Sequence, residues 1–222
     1  MKKLLITVLS FLYISSASAD VGFNVGASAQ MGLFSASAKE FSGTINKDNG
    51  SEHGEAAWGS IFAEGTINNR FIIGLDYVPS PLETETTETA KSGISSVDAA
   101  GTITRATQTN KVQVDFEDLT TLYAGVMIND NMYVKAGITT VDVITNENLG
   151  TGASYANAEL DGTMFGVGYH NALDNGVFFR LEGNYMTFDG TTVTSSGTAA
   201  DNKIELRNLD GISGKLSIGK TF

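Results

Sequence analysis

Residues Lys203 to Phe222, KIELRNLDGISGKLSIGKTF, decide the fold. Ile204, Leu206, Ile212, Leu216, Ile218 and Phe222 occupy even positions, and Lys203, Glu205, Arg207, Ser213, Lys215 and Ser217 occupy odd ones. A two-residue period sends successive side chains to opposite faces of a strand, here one apolar and one polar. The alternation recurs upstream. Val21, Phe23, Val25, Ala27, Ala29, Met31 and Leu33 form one face of a first strand over about 21–34. In a second, over about 56–67, Trp58 and Phe62 share the parity of Glu64, while Ile61, Ala63 and Ile67 take the other.

Further strands follow the same rule. Phe71, Ile73, Leu75 and Tyr77 alternate with Arg70 and Asp76. A fourth strand holds one parity through Val112, Val114, Phe116, Thr120, Leu122, Ala124, Val126 and Ile128. In the fifth, Met132, Val134, Ala136 and Ile138 oppose Lys135. The sixth sets Phe165, Val167 and Tyr169 against Gly166, Gly168 and His170, and the seventh sets Val177, Phe179, Leu181 and Tyr185 against Phe178, Arg180, Glu182 and Asn184. Past the first twenty residues no apolar run reaches the length of a membrane helix. Roughly eight alternating segments between turns predict an all-β fold, an eight-stranded antiparallel up-and-down transmembrane β-barrel.

The connections alternate long and short. Asn68-Asn69, Asn129-Asp130-Asn131 and Asp174-Asn175-Gly176 are tight turns, whereas about 35–55, 79–110, 142–161 and 189–202 are long. Membrane barrels put long loops outside and short turns in the periplasm. The stretch 79–110, rich in Thr, Ser and acid after Pro79 and Pro81, reads as a mobile loop, or as a short raised hairpin through Gly101 to Gln108. A soluble eight-stranded barrel is the competing fold, but it would turn its apolar faces inward. The outward parity of Phe71, Tyr77, Tyr169, Phe179, Tyr185 and Phe222 fits aromatic girdles instead.

The terminal pattern Leu216-x-Ile218-x-x-x-Phe222 resembles the closing strand of the small bacterial outer-membrane β-barrel proteins, the OmpA-transmembrane and OmpX-like, porin-like group. Lys220 departs from that pattern, where the group usually has an apolar residue. The resemblance implies a location in the outer membrane and contact with its lipid and lipopolysaccharide. It also implies delivery by the barrel-insertion machinery, which reads the C-terminal strand. The implied role is a structural or surface-interaction scaffold whose external loops recognise partners. A narrow porin-like channel, or a conduit for small hydrophobic solutes, is the alternative.

Other signals agree. Lys2 and Lys3, the apolar Leu4 to Ile14 and Ala17-Ser18-Ala19 make residues 1–19 an expected signal peptide, leaving 20–222 as the barrel domain. Removing Lys2 and Lys3 from 14 basic residues leaves 12 against 25 acidic ones, a net charge of −13. That excess excludes a nucleic-acid partner. With no Cys, the fold has no disulfide to close it and no thiolate metal or redox site.

The inward parity near mid-depth collects three acids, Glu64, Asp76 and Glu182, and three bases, Lys135, Arg180 and Lys215. An eight-stranded barrel is only wide enough inside for side chains, so such charges must pair. A structural ion-pair plug is expected, bordered by Arg70 and Tyr123; a gate whose pairs exchange is the sharper alternative. Only two His residues exist, and His53 and His170 fall at opposite ends, which leaves no base near a nucleophile. No zinc spacing or phosphate-cradling loop occurs, and Asn46-Lys47-Asp48-Asn49-Gly50 lacks the acidic ladder of a calcium loop. A monomer without catalytic residues, metal or cofactor is the expectation.

Overall fold

The computed structural model describes residues 20–42, 44–97, 103–149, 154–196 and 202–222; the expected signal peptide lies outside them. The strands are β1 (Val21–Ser42), β2 (Ile45–Ile67), β3 (Phe71–Tyr77), β4 (Leu82–Glu83), β5 (Thr87–Val97) and β6 (Ile103–Met127). They continue as β7 (Met132–Asn148), β8 (Ser154–Tyr155), β9 (Ala158–Ala172), β10 (Val177–Phe188), β11 (Thr191–Ser196) and β12 (Asn202–Thr221). β1, β2, β3, β6, β7, β9, β10 and β12 pair antiparallel in that order, and β12 returns to pair with β1. The ring has eight strands and no free edge, the condition for a sheet to cross hydrocarbon.

Alternation gives the wall its two faces. Phe71, Val134, Phe179, Leu181, Leu216 and Ile218 are exposed on the outside, whereas Asn24, Glu64, Asp76, Arg180, Glu182 and Lys215 are buried inside. Phe179 is 50 % exposed and its neighbour Phe178 0 %, so one residue of phase decides between lipid and lumen. Such a belt on a closed barrel is stable only in a bilayer. The tight turns lie at one end: Asn68 and Asn69 take left-handed φ values of 53° and 51°, and Gly176 one of 80°. At that end the Phe23 N–H donates to the Phe222 carbonyl at 3.2 Å, joining the first and last strands. Lys220 is exposed there, its ammonium 3.3 Å from the Asn175 carbonyl.

Away from the tight turns the strands run on. β1 has 22 residues and β6 has 25, against the roughly 9–11 that cross a membrane. Residues 35–55, expected as a loop, instead keep β1 and β2 paired as far as Ser42 and Ile45. The stretch 79–110 does enter a hairpin, but a longer one than the expected Gly101 to Gln108: β5 pairs with β6 from Thr87 opposite Val112 to Val97 opposite Ile103, so residues 103–108 lie in one arm. Its tip, 98–102, lies outside the described residues. Thr, Ser and Ile suit a pleated strand even when polarity suggests a loop. In the same way β7 and β9 extend into 142–161, and β11 occupies part of 189–202.

The single parity expected along the fourth strand is also corrected. A register shift between Glu117 and Thr120 inserts one extra residue, with Asp118 at a φ of 53°. Beyond it Phe116 packs against the buried cluster containing Leu119, instead of sharing a face with Thr120 and Leu122.

Candidate functional site in the lumen

Every strand of the ring sends at least one polar side chain into the lumen, and β10 sends two charges, Arg180 and Glu182. Glu64 on β2 faces Arg180 on β10, and the guanidinium grips the carboxylate with both nitrogens, at 2.5 and 2.7 Å. The Tyr123 hydroxyl of β6 donates to Glu64 Oε1 at 2.6 Å, and Asn24 Nδ2 of β1 donates to Oε2 at 3.2 Å. On the other side of the guanidinium, Arg180 Nε donates to His170 Nδ1 at 3.0 Å. A bidentate pair with its remaining lone pairs filled is the arrangement that makes buried charge tolerable.

Two further pairs extend the layer. Lys135 Nζ of β7 donates to Glu182 Oε2 at 2.8 Å, and the Tyr133 hydroxyl donates to the other oxygen. Lys215 Nζ of β12 donates to Asp76 of β3 and lies 3.9 Å from Glu182, linking the two pairs. The Ser60 hydroxyl also donates to Asp76, at 3.0 Å. Aromatic faces line the cations: Arg180 lies 4.6 Å from the Phe178 centroid and 5.6 Å from that of Phe62, and Lys135 lies 4.8 Å from that of Tyr123.

The interior glycines make the room. A Cβ on Gly74 would lie 2.5 Å from Tyr123 Cζ and 2.8 Å from Glu64 Cγ. Gly166 clears the Lys135 stem in the same way, and Gly26 and Gly219 clear Phe62 and Phe178. Toward the long-strand end the lining turns apolar. Val78, Leu119, Val141, Leu160, Phe188 and Leu209 are buried together, with Trp58 beneath them against Phe34 at a centroid distance of 5.8 Å.

All six lumen charges read from parity meet in this layer as Glu64–Arg180, Lys135–Glu182 and Asp76–Lys215. Tyr123 joins them. Arg70 does not: it is exposed in the tight turn before β3, its N–H bonded to the Ile67 carbonyl at 3.1 Å. The aspect missed was Tyr133, whose parity with Lys135 was its only signal, and the apolar cap, whose residues lie beyond the membrane part of the pattern. His53 lies opposite Ser35 on the far extension of β2, and His170 accepts from Arg180 Nε in the lumen, so the two imidazoles stand apart. Among the described residues no group of His, Asp and Glu could hold a metal ion.

No family model matches the chain, and no curated protein sequence does. Solved structures do resemble it. The outer membrane protein OprG from Pseudomonas aeruginosa superposes with a TM-score of 0.51 at 10 % identity, over 90 % of this chain and 95 % of that one. Neisserial surface protein A gives 0.42 at 14 %, over 93 % and 100 %. The Yersinia pestis attachment invasion locus protein Ail, in complex with the heparin analogue sucrose octasulfate, gives 0.39 at 11 %, over 89 % and 99 %. The chain has the fold of the small bacterial outer-membrane β-barrels, the group its terminal strand resembles. Fold and lipid-facing belt together make it an outer-membrane protein.

Proposed function

We propose that this barrel is a sealed scaffold of the outer membrane that holds recognition surfaces above the lipid. The observation that carries the reading is the double closure of the lumen. Three buried ion pairs join strands that are not neighbours, and an apolar cluster fills the interior above them. The six charges act as a structural plug. Opening a path through it would separate buried opposite charges, at a cost of ~3–5 kcal/mol for each pair broken.

The β5–β6 hairpin and the extensions of β1, β2, β7 and β12 form a raised polar rim on which a partner is recognised. There Tyr155 donates its N–H to Glu147; burial first, then Glu40 and Glu147, holds its phenol above the ordinary range. The protein works as a monomer, surrounded by lipid and lipopolysaccharide and inserted through β12, and performs no catalysis.

A conduit for small hydrophobic solutes is the second reading, favoured by the apolar lining above the ion pairs. Uptake separates the two. Vesicles carrying the barrel take up small sugars and small aromatic hydrocarbons no faster than empty vesicles if it is a scaffold. Saturable hydrocarbon uptake that requires the protein establishes the conduit.

A further inference from the structure

Toward the long-strand end the ring continues as a raised wall, and that wall has a seam above β3. The strand ends at Tyr77, and Val78 turns its N–H to the Leu119 carbonyl of β6 at 3.0 Å. Pro79 and Pro81 follow, with no N–H to extend a ladder. The chain then moves over to β6, where Leu82 of β4 stands opposite Phe116 and Thr87 of β5 opposite Val112. β2 therefore has no β3 neighbour above Ile61, although β1 stays paired with it as far as Ile45. On the other side the wall is joined. β12, β11 and β8 pair in order, and the Tyr155 N–H donates across to Glu147 of β7. Close by, the Thr145 N–H of β7 donates to Asn157 Oδ1 at 3.1 Å. Among the described residues, the long strand edges that no other strand covers are those of β2 over 45–60 and of β5.

We propose that this seam takes up an extended, basic segment of another protein as an added strand on the edge of β2. The proposal rests on the scaffold reading and gives its recognition surface a place. An uncovered edge offers a row of backbone donors and acceptors, which an extended peptide can pair with directly. β2 keeps an unbroken register with β1 from Asp48 to Ile67, so no bulge twists the edge away. It descends from Ile45 to the tight turn at Asn68, whereas β5 climbs from Thr87 to Val97. A strand lying between them is antiparallel to one and parallel to the other. It runs antiparallel to β2, whose edge is the longer and whose back is held by β1, because antiparallel pairing is the more stable per residue. Charge selects the occupant. The sequence places Asp48, Glu52 and Glu55 on one side of the seam and Glu83 and Glu85 on the other, against Lys47 and Lys91; Glu88 is held by Lys111 at 2.5 Å. Glu55, Glu83 and Glu85 are exposed. A cationic segment is drawn to such an edge, and a second copy of this acidic chain is repelled.

The test is binding of a fluorescent peptide of alternating Lys and Thr to the full barrel in lipid nanodiscs, read by anisotropy and by amide hydrogen exchange. Wild type binds it, and the amides of β2 over 45–60 gain protection while those of its membrane part do not change. The same peptide with Glu in place of Lys, or N-methylated at every residue, binds at least about tenfold more weakly. E55K/E83K weakens binding of the Lys peptide by about tenfold. E159K/D189K makes an equal change of charge at exposed positions on the β9–β10 side of the ring and leaves binding unchanged. Resistance of each variant to detergent unfolding at room temperature reports that the barrel is closed. Absence of binding, equal binding of the Lys and Glu peptides, undiminished binding of the N-methylated peptide, or protection outside β2 overturns the proposal. So does self-association of the barrel that protects β2 without peptide, which would assign the edge to a second copy. A barrel that binds the peptide yet takes up hydrocarbon keeps the seam and loses the scaffold reading. One that takes up nothing and ignores the peptide loses the seam alone.

Discussion

Arg180 reaches across the barrel to Glu64, 116 residues away, and holds both carboxylate oxygens. The two sit on β10 and β2, separated in the ring by β12 and β1. The contact therefore braces the barrel where its first and last strands close, as Lys215 of β12 does by reaching Asp76 of β3.

That brace is expected to be strongly asymmetric under mutation. Glu64→Gln leaves a buried guanidinium without its anion and destabilises the barrel by ~3–5 kcal/mol. Replacing both partners, Glu64→Gln with Arg180→Met, removes the orphaned charge and costs less than the single change. Reversible urea unfolding in lipid vesicles, followed by tryptophan fluorescence, measures both.

Glycines on the two faces are expected to respond in opposite ways. Gly74→Ala forces Tyr123 and the Glu64 stem aside and costs ~1–3 kcal/mol by overpacking. Gly183→Ala adds a methyl to an open outward position and leaves stability unchanged or raised. The same unfolding experiment compares them.

Leu181 and Arg180 are chain neighbours on opposite faces, with Leu181 57 % exposed and Arg180 5 %. Leu181→Arg therefore places a second guanidinium in lipid rather than in the plug, at ~2–4 kcal/mol if it lies near the midplane. The yield of folded barrel in vesicles falls accordingly, and recovers with Leu181→Phe.

Trp58 anchors the base of the apolar cap. Trp58→Ala leaves a cavity beside Phe34 and costs ~3–5 kcal/mol. Hydrogen exchange is expected to rise in the extensions of β1 and β2 before it rises in their membrane part.

Sequence alone disclosed the membrane part because lipid imposes a strict two-residue code. Glu64 could be placed inside even though Trp58 and Phe62 shared its parity, since an inward aromatic costs nothing and an outward Glu does. Pairing partners were less legible. Parity names the face but not the depth at which side chains from distant strands meet, so Tyr133 went unnoticed beside Lys135. Beyond the lipid the code lapses. Water tolerates polar residues on either face, and the hairpin at 87–112 therefore resembled a loop. The bulge at Asp118 carried no advance signal, because one inserted residue changes phase without changing composition.

Single-channel recording of the purified barrel in planar bilayers tests the sealed lumen most directly. A quiet baseline in salt at voltages of either sign is the predicted result, and it persists when Arg180 and Lys135 are both truncated to Ala, because the apolar cluster still fills the lumen above them. Steady, uniform conductance steps from the unmodified protein would contradict the account.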